Sequence, residues 1–372
     1  MRIGIITHSL SYNYGGILQN YAMQTVLKRL GHKPVTLNPN PHRPLNFWQW
    51  LKSFPKRFLY KYYLRIPRIH LFEAFFANKN WRLIMQHLQP FIDTNINYII
   101  VNDYDQLNEE DFDALLSGSD QIWRAPYVNP IEKGFLNFAK DWKKIKRLSY
   151  AASFGTDQWE YSSEQTERCK ELVLKFDGIS VREDSGVELC KKYFSVEGTH
   201  VLDPTMLLSK DDYSKLFFDC KTPKSPGTLL NYILDDTPDK KNLIESIADE
   251  LNLKTFRINR KPEGGYALSE RVQPPMEKWL RGFYDAEFII TDSFHACAFS
   301  IIFNKPFIVY ANKSRGYARF QSLLSMVGLE DRLVYNFDDH KKVSRSIDWD
   351  NVNSILEKKK KEAFTFLQTV LD

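Results

Sequence analysis

One short polar run in the sequence, Asp292-Ser293-Phe294-His295, separates two apolar segments. The segment before it, Glu287 to Thr291, has the pattern of a buried parallel strand, and Ala296 to Phe303 has that of a buried helix. This order places His295 in the first turn of a helix, where the helix dipole and unpaired N–H groups attract anions. Because imidazole titrates near neutral pH, His295 is the candidate acid or base; a histidine with a structural role is the alternative.

A second polar run follows another predicted strand. Asp113 to Leu116 leads directly into Ser117-Gly118-Ser119-Asp120-Gln121. Such a dense polar run after a buried strand is hard to explain by packing alone. Asp120 could accept hydrogen bonds from sugar hydroxyls or act as a base, with Ser119 and Gln121 in the same cleft. Capping of the following helix by Ser119 or Asp120 is the structural alternative.

Arginines bring positive charge to two further strand ends. Arg182 directly follows a predicted strand, and its planar guanidinium could bind phosphate or carboxylate. An ion pair between Arg182 and Glu183 is the structural alternative. The loop after the predicted strand at Pro306 to Tyr310 carries Arg315 and Arg319, which could form either a phosphate clamp or a solvated basic surface.

A glycine-containing loop, Asn13-Tyr14-Gly15-Gly16, connects the first predicted strand to the first predicted helix. Glycines let a ligand approach the backbone closely, although they could also serve a turn alone. The spacing is not the dinucleotide fingerprint, so a nicotinamide or flavin nucleotide is not indicated. Ser153 follows the predicted strand Arg147 to Ala152. Because parallel strands end at one edge of a sheet, we expect these residues to line one cleft.

The elements that must hold these residues alternate between strands and helices, which is typical of α/β folds. We predict two Rossmann-like domains facing across a cleft. The first spans residues 1–208 with a helical, aromatic and basic insertion at about 41–100, and the second, donor-binding domain spans 227–345. Lys210 to Pro226 has no clear periodicity and is the predicted junction. The helix in 346–372 is predicted to pack back on the first domain.

The composition is that of an ordinary soluble protein, with 43% hydrophobic and 26% charged residues among 372. A net charge of +5 is too small over this length to indicate nucleic acid. The four cysteines lack the close spacing of a zinc site or a disulfide framework. No signal-peptide core is present, and no apolar run approaches the roughly 20 residues of a membrane helix. We therefore expect a cytoplasmic protein.

The insertion is unusually rich in aromatic and basic residues, among them Lys56-Arg57-Phe58 and Lys61-Tyr62-Tyr63. Aromatic rings stack on sugars, and a basic amphipathic surface binds anionic lipid. We expect this element either to contact an acceptor sugar and the inner surface of the cytoplasmic membrane, or to form a small helical subdomain with its own core.

Taken in order, these motifs resemble the polysaccharide pyruvyl transferase family, and no single one of them is decisive. The matching pieces in the first half are Asn13-Tyr14-Gly15-Gly16 with Leu18-Gln19 and Tyr21-Ala22, Gly118-Ser119-Asp120-Gln121-Ile122-Trp123, Ser149-Tyr150-Ala151-Ala152-Ser153-Phe154-Gly155, Val181-Arg182-Glu183-Asp184-Ser185 and Leu202-Asp203-Pro204-Thr205. Those in the second half are Thr291-Asp292-Ser293-Phe294-His295, Asn304-Lys305-Pro306-Phe307 and Arg319-Phe320 with Leu323-Leu324.

The resemblance implies a GT-B-like fold, phosphoenolpyruvate as donor, and a glycan or lipid-linked sugar as acceptor. The product would be a pyruvate ketal in surface polysaccharide biosynthesis, formed without a cofactor or metal. It also implies that Arg182 and His295 contact the donor. The donor-binding residues would then include Ser293, where some members of the family have arginine, and Arg315 or Arg319 could supply the missing charge.

Two other functions are compatible with the same pattern. A GT-B glycosyltransferase using a nucleotide sugar would share the architecture, because a fold does not determine its chemistry. A glycan-binding relative without catalysis would also fit, with Ser293 as the sign of lost activity. A preference for phosphoenolpyruvate over nucleotide sugars would distinguish a pyruvyl transferase from the first alternative. Phosphate release that depends on both donor and acceptor would distinguish it from the second.

Overall fold

The computed structural model describes residues 1–40, 51–52, 54–55, 58–63, 80–260, 267–311, 317–339 and 346–372. Arg315, predicted to bind the donor, and part of the predicted insertion at 41–100 lie outside these residues. Within the described part of the chain, no helix is long and apolar enough to cross a membrane.

Seven parallel strands form the first sheet. They are β1 Arg2–Ile6, β2 Lys33–Pro39, β3 Tyr98–Val101, β4 Ala114–Gly118, β5 Lys146–Ala152, β6 Gly178–Val181 and β7 Thr199–His200. Their order across the sheet is β3-β2-β1-β4-β5-β6-β7. β1 and β4 are central, and almost every residue of both is buried, because helices cover both faces of a parallel sheet.

This part of the described chain includes the helices α1 Tyr14–Arg29, α2 Gln89–Asn95, α3 Ser163–Val173, α4 Asp184–Leu189 and α5 Lys210–Asp219. α1 shows why the first βαβ unit folds as the sequence predicts. Its apolar positions recur at helical spacing and are buried. Gly31 ends it with a φ of 85°, and the N–H of His32 closes the last turn on the carbonyl of Leu27.

The second sheet has five parallel strands, β8 Leu229–Tyr232, β9 Thr255–Phe256, β10 Phe288–Thr291, β11 Phe307–Tyr310 and β12 Leu333–Val334. They lie in the order β12-β11-β10-β8-β9. The accompanying helices are α6 Pro238–Leu251, α7 Leu268–Arg271, α8 Met276–Asp285, α9 Phe294–Ile302, α10 Ala318–Met326 and α11 Trp349–Leu371. Two parallel sheets with helices confirm the predicted two-domain α/β class.

The structure departs from the sequence expectation at two places. Residues 98–101, the end of the predicted helical insertion, form β3 at the edge of the first sheet. Lys210 to Asp219, in the segment without clear periodicity, forms α5, which begins with a capping box between Ser209 and Asp212. Reciprocal capping stabilises a helix whose apolar pattern is weak.

The two domains share one apolar core across their interface. The ring of Tyr14, at the start of α1, stacks on Trp279 of α8 with centroids 5.5 Å apart, and its hydroxyl donates to the carbonyl of Pro274 at 2.7 Å. α11 contacts the first sheet, since a Cβ added to Gly178 of β6 would lie 2.4 Å from the side chain of Val370. The C-terminal helix thus joins the second half of the chain to the first sheet.

Candidate active site

The carboxyl ends of strands from both sheets meet at one buried cluster of charged side chains. Asp120 follows β4 and Arg182 follows β6, while Asp203 comes shortly after β7. From the second domain, His295 lies in the first turn of α9, and Arg319 lies in the first turn of α10. All five side chains are more than nine-tenths buried. Five strand and helix ends therefore place titratable groups where parallel α/β sheets bind ligands.

His295 is held between the two domains. A Cβ added to Gly15 would lie 2.0 Å from His295 Nδ1, so the imidazole ring packs directly on the backbone of α1. The other ring nitrogen, Nε2, is 3.9 Å from Asp203 Oδ2. No residue in the described part of the chain accepts or donates a hydrogen bond at Nε2. Gly15 is thus required by its contact with His295, a role that the two-glycine pattern alone did not reveal.

Four charged neighbours act on the imidazole of His295. Burial has the largest effect and lowers the pKa of His295 below its ordinary value, because it penalises the charged ring. Asp203 and Asp120 oppose this by attracting the protonated form, whereas Arg182 and Arg319 repel it. An anion arriving near the ring would add to the carboxylates and favour protonation.

Arg182 lies at the centre of the cluster. Its Nε donates to Glu183 Oε1 at 3.1 Å and its Nη1 to Asp203 Oδ2 at 3.1 Å, while Nη2 is 3.6 Å from Asp120 Oδ1. The guanidinium carbon also lies 4.3 Å from the centroid of the Phe294 ring. The ion pair with Glu183, which the sequence offered as a structural alternative, is therefore present. Three carboxylates hold Arg182 in one orientation.

Asp120 adopts an uncommon backbone conformation, with a φ of 53°. Aspartate tolerates this left-handed region better than most residues, and such conformations cluster at functional sites. Its Oδ2 accepts a hydrogen bond from Asn13 Nδ2 at 3.3 Å. Burial alone would raise the pKa of Asp120, but the positive charge of Arg182, with smaller contributions from other cations, holds it well below its usual range. Asp120 is therefore an ionised acceptor and a weak base.

Arg319 adds a second guanidinium beside Phe294, with its carbon 5.9 Å from the ring centroid. Burial and the like charge of Arg182 lower the pKa of Arg319 to about 10, so it stays protonated at neutral pH. α10 is fixed against the first domain one turn later. There Ser322 Oγ accepts from the N–H of Asp184 at 3.0 Å.

Several buried polar atoms of this cluster lack hydrogen-bond partners among the described residues. They are Arg182 Nη2, Glu183 Oε2, His295 Nε2 and Gln19 Oε1. Buried polar groups without partners are rare in folded proteins, because each costs roughly 1–3 kcal/mol. Their concentration at one place indicates a site for a polar ligand or ordered water.

Within the motif around His295, Asp292 has a structural task. It is buried, accepts from Lys240 Nζ at 2.7 Å, and accepts the N–H groups of Leu234 and Asp235. It thereby ties the loop after β8 to α6. Ser293 is partly exposed at the N-terminal cap of α9, and its side chain caps no N–H of that helix within the described chain. Ser293 thus leaves the end of α9 open.

The remaining predicted residues are not members of the charged cluster, and each has contacts of its own. Ser153 Oγ donates to Glu183 Oε1 at 2.6 Å and so supports the partner of Arg182. Gln121 accepts from Arg124 at 2.8 Å, and Ser119 lines a void of about 10 Å³ beside Gln19. A Cβ on Gly16 would lie 3.2 Å from the Asn13 side chain. Tyr14 is an interdomain contact rather than part of the charged cluster.

Sequence reasoning gave no role to Asp203, although the structure brings it within reach of both Arg182 and His295. Gln19, which belongs to the family resemblance but was given no role, donates through its Nε2 to Asp203 Oδ2 at 2.5 Å. The available signal was the run Asp203-Pro204-Thr205 after a short strand, which is the same type of position that drew attention to Asp120. β7 is only two residues long, and periodicity cannot detect so short a strand.

The sequence matches the family model for polysaccharide pyruvyl transferase over residues 13–314. The chain belongs to this family. The match begins at Asn13, ends a few residues beyond β11, and therefore includes Asp120, Arg182, Asp203 and His295. Membership makes the protein a transferase. No curated protein matches the sequence.

Three solved structures illustrate what this family member is similar to. UGT89C1 of Arabidopsis thaliana, complexed with UDP-L-rhamnose, aligns with a TM-score of 0.50 at 11% identity, covering 100% of this chain and 98% of that one. MnaA of S. aureus with UDP gives 0.46 at 12% identity, covering 92% and 86%. Heptosyltransferase II of E. coli gives 0.39 at 10%, covering 96% and 99%. At 11% identity the likeness to UGT89C1 concerns the fold alone, which is the predicted GT-B-like arrangement.

Proposed function

We propose that this transferase moves the pyruvyl group of phosphoenolpyruvate onto two hydroxyls of a glycan or lipid-linked sugar, forming a pyruvate ketal for surface polysaccharide biosynthesis. The observation that carries the proposal is the buried cluster around Arg182 and His295, with unpartnered polar atoms at the ends of strands from both domains. Membership of the family supports the reaction class. No cofactor is needed, since the donor itself supplies the energy of the reaction.

Once His295 is protonated, the charges of the site cancel, so an anionic donor meets no net negative charge there. Asp120, Glu183 and Asp203 contribute three negative charges, and two arginines with a protonated His295 offset them. Phosphoenolpyruvate carries a phosphate of about −2 charge in addition to its carboxylate. Attraction for the donor comes from the open first turn of α9. The sequence places Arg315 in the neighbouring loop, outside the described residues.

His295 is the proposed acid of the first step. Its proton moves to the methylene carbon of the donor, and C2 becomes electrophilic. A sugar hydroxyl oxygen bonds to C2 while its proton passes to the now neutral imidazole. In the second step the oxygen of the other hydroxyl bonds to C2, and the bond between C2 and the phosphate oxygen breaks. Phosphate leaves with the electron pair of that bond and takes up the proton of this second hydroxyl. One donor and one diol thus give one ketal and one phosphate.

Asp120 and Asn13 are the proposed contacts of the acceptor. The low pKa of Asp120 makes it a poor base but a strong hydrogen-bond acceptor, so we assign it to orienting a sugar hydroxyl. Asn13 is exposed and already bonded to Asp120, which places an amide at the mouth of the cluster. Ser119, Gln121, Ser153 and the glycines of the loop at Gly15 support this side of the site.

The location that we propose is the cytoplasm, with peripheral contact to the inner membrane surface. Phe58, Tyr62 and Tyr63 are each more than half exposed, at 51%, 56% and 81%. The surrounding sequence, residues 51–72, has basic residues at Lys52, Lys56, Arg57, Lys61, Arg65 and Arg68 and no acidic one. Such segments bind anionic lipid surfaces. Sedimentation with phosphatidylglycerol vesicles, compared with phosphatidylcholine vesicles, tests this location.

Turnover with a panel of synthetic glycosides that carry free hydroxyl pairs tests the proposed reaction. We expect phosphate release that requires both phosphoenolpyruvate and a glycoside, and a product heavier by one pyruvic acid less one water. His295→Asn should abolish it, and the exposed variant Glu164→Gln, on α3, is the matched control. Transfer from a UDP- or GDP-sugar instead would establish a glycosyltransferase. Glycan binding without turnover by either donor would establish a non-catalytic relative.

A further inference from the structure

Asp203 has a more constrained setting than any other carboxylate of the cluster. Its Oδ1 accepts from the N–H of Thr205 at 3.0 Å and from Thr205 Oγ1 at 2.7 Å. Its Oδ2 accepts from Gln19 Nε2 at 2.5 Å and from Arg182 Nη1 at 3.1 Å. The side chain is only 1% exposed. Four hydrogen bonds from three residues fix the carboxylate in one position.

The oxygen that faces Arg182 also faces His295. Asp203 Oδ2 is 3.9 Å from His295 Nε2, and that nitrogen is buried with no hydrogen-bond partner among the described residues. The opposite nitrogen, Nδ1, lies against the backbone of Gly15. Catalytic hydrogen bonds are often long without substrate and shorten when it binds. A small rotation of the ring would bring Nε2–H into a hydrogen bond with Asp203.

Four charged groups face the imidazole, and each comes from a different part of the fold. Asp203 follows β7, Asp120 follows β4, Arg182 follows β6, and Arg319 lies on α10. α1 contributes only the uncharged backbone of Gly15. Of the two carboxylates, Asp203 is the one whose position is fixed and whose oxygen lies nearest to a ring nitrogen.

We propose that Asp203 is the positioning residue of His295: it keeps a proton on Nε2, favours the charged imidazolium, and holds the ring beside the unpartnered polar atoms of the cluster. The catalytic part of this inference, the use of His295 as an acid, rests on the proposed pyruvyl transfer. Its structural part, the tautomer and the pKa of the ring, does not. A carboxylate that holds one imidazole nitrogen protonated fixes the tautomer of the other. It follows that binding of an anion at the site takes up a proton at His295.

Nuclear magnetic resonance of histidine-labelled protein tests the structural part without any turnover. The eight histidines are resolved by their ring signals, and that of His295 is assigned by its loss in His295→Asn. We expect the neutral ring to carry its proton on Nε2, and we expect inorganic phosphate to raise its pKa. Asp203→Asn should lower the pKa by about 1–3 units, the usual effect of an opposite charge within about 4–6 Å. A neutral ring protonated on Nδ1 would overturn the proposal.

Thr205→Val provides the matched control. It removes one hydrogen bond to Asp203 but keeps the carboxylate charge, so the protein should lose stability while the pKa of His295 stays within about 0.3 unit. If Asp203→Asn does not fold, the tautomer in the wild-type protein still decides the matter. If both variants move the pKa equally, Asp203 acts only through packing, and the proposal fails.

The kinetic consequence separates this inference from the proposed function. An acid must be protonated to act, so the alkaline limb of the profile of kcat against pH should move in Asp203→Asn. We expect it to move to lower pH by about 1–3 units, as the pKa does. At pH 7 this gives a loss of about 10- to 1,000-fold in kcat with a smaller change in KM. Resonance results as expected, without pyruvyl transfer by the wild-type protein, would refute the proposed reaction and leave the role of Asp203 intact.

Discussion

Replacing Gly15 with alanine tests how closely the first domain packs on His295. The new Cβ would lie 2.0 Å from Nδ1, 2.2 Å from Cγ and 2.6 Å from Cε1 of the imidazole. Carbon contacts are optimal at about 3.5–4.0 Å, so the ring must move by about 1.5 Å. It has little room, since it is 8% exposed and packed beside Phe294 and Asp203. The imidazole would therefore leave its position beside Asp203.

Two opposing effects set the expected stability of Gly15→Ala. Overpacking costs about 1–3 kcal/mol, whereas alanine in a helix gains up to about 1 kcal/mol over glycine. We expect a net loss of about 1–2 kcal/mol in the free energy of unfolding, measured with urea. In a His295→Ala background the clash is gone, so the same substitution should be neutral or stabilising. The double-mutant cycle should give a coupling of about 1–3 kcal/mol.

The loss of catalytic activity in Gly15→Ala should be larger than the loss of stability alone would cause. Displacement of a catalytic group by about 1 Å can cost about 100-fold in rate, and we expect at least this in kcat. Gly198→Ala is the matched control, because the nearest atom to its new Cβ is 3.8 Å away. An equal loss of stability in the wild-type and His295→Ala backgrounds would refute the reasoning, since it would mean that the ring is not what the Cβ meets.

Other parts of the structure give three further predictions. Lys240→Met leaves the carboxylate of Asp292 buried without its cation; it should cost about 3–5 kcal/mol in urea unfolding, and a cost below 1 kcal/mol would contradict the buried pair. Tyr14→Phe keeps the stacked ring but loses an interdomain hydrogen bond of 2.7 Å, so unfolding should become easier by about 0.5–1.5 kcal/mol. Burial lowers the pKa of His200 and His295 in the folded protein. Below about pH 6.5 the unfolded chain therefore binds protons more readily than the folded protein, and the free energy of unfolding should decline as pH falls. His200→Asn should reduce this slope, and an unchanged slope would contradict the assignment.

The parts of the fold that sequence could predict are those with long apolar patterns. β1, α1 and β2 follow from periodicity and from Gly31, and the strand-to-helix turn before His295 follows from one polar run between two apolar segments. β7 and β12 have two residues each and carry no periodic signal. α5 begins with Ser209 and an aspartate at the third helical position, where the familiar capping signature has glutamate or glutamine.

The residues of the charged cluster other than Asp203 were singled out from the sequence, whereas Asp203 and the arrangement of the cluster were not. The sequence identified His295, Asp120 and Arg182 because each follows a strand. It could not show that Arg182 lies among three carboxylates, since Asp120 and Asp203 are distant from it along the chain. Nor could it assign Tyr14 to the domain interface, because contacts of that kind depend on how the two sheets face each other.

Calorimetric titration of the protein with phosphoenolpyruvate, and in parallel with UDP-glucose and GDP-mannose, tests the central claim most directly because it needs no acceptor. We predict binding of phosphoenolpyruvate accompanied by proton uptake, a loss of at least about tenfold in affinity in Arg319→Met, whose guanidinium neighbours Phe294, and no binding of either nucleotide sugar. Binding of a nucleotide sugar without binding of phosphoenolpyruvate would contradict the account and identify the protein as a glycosyltransferase.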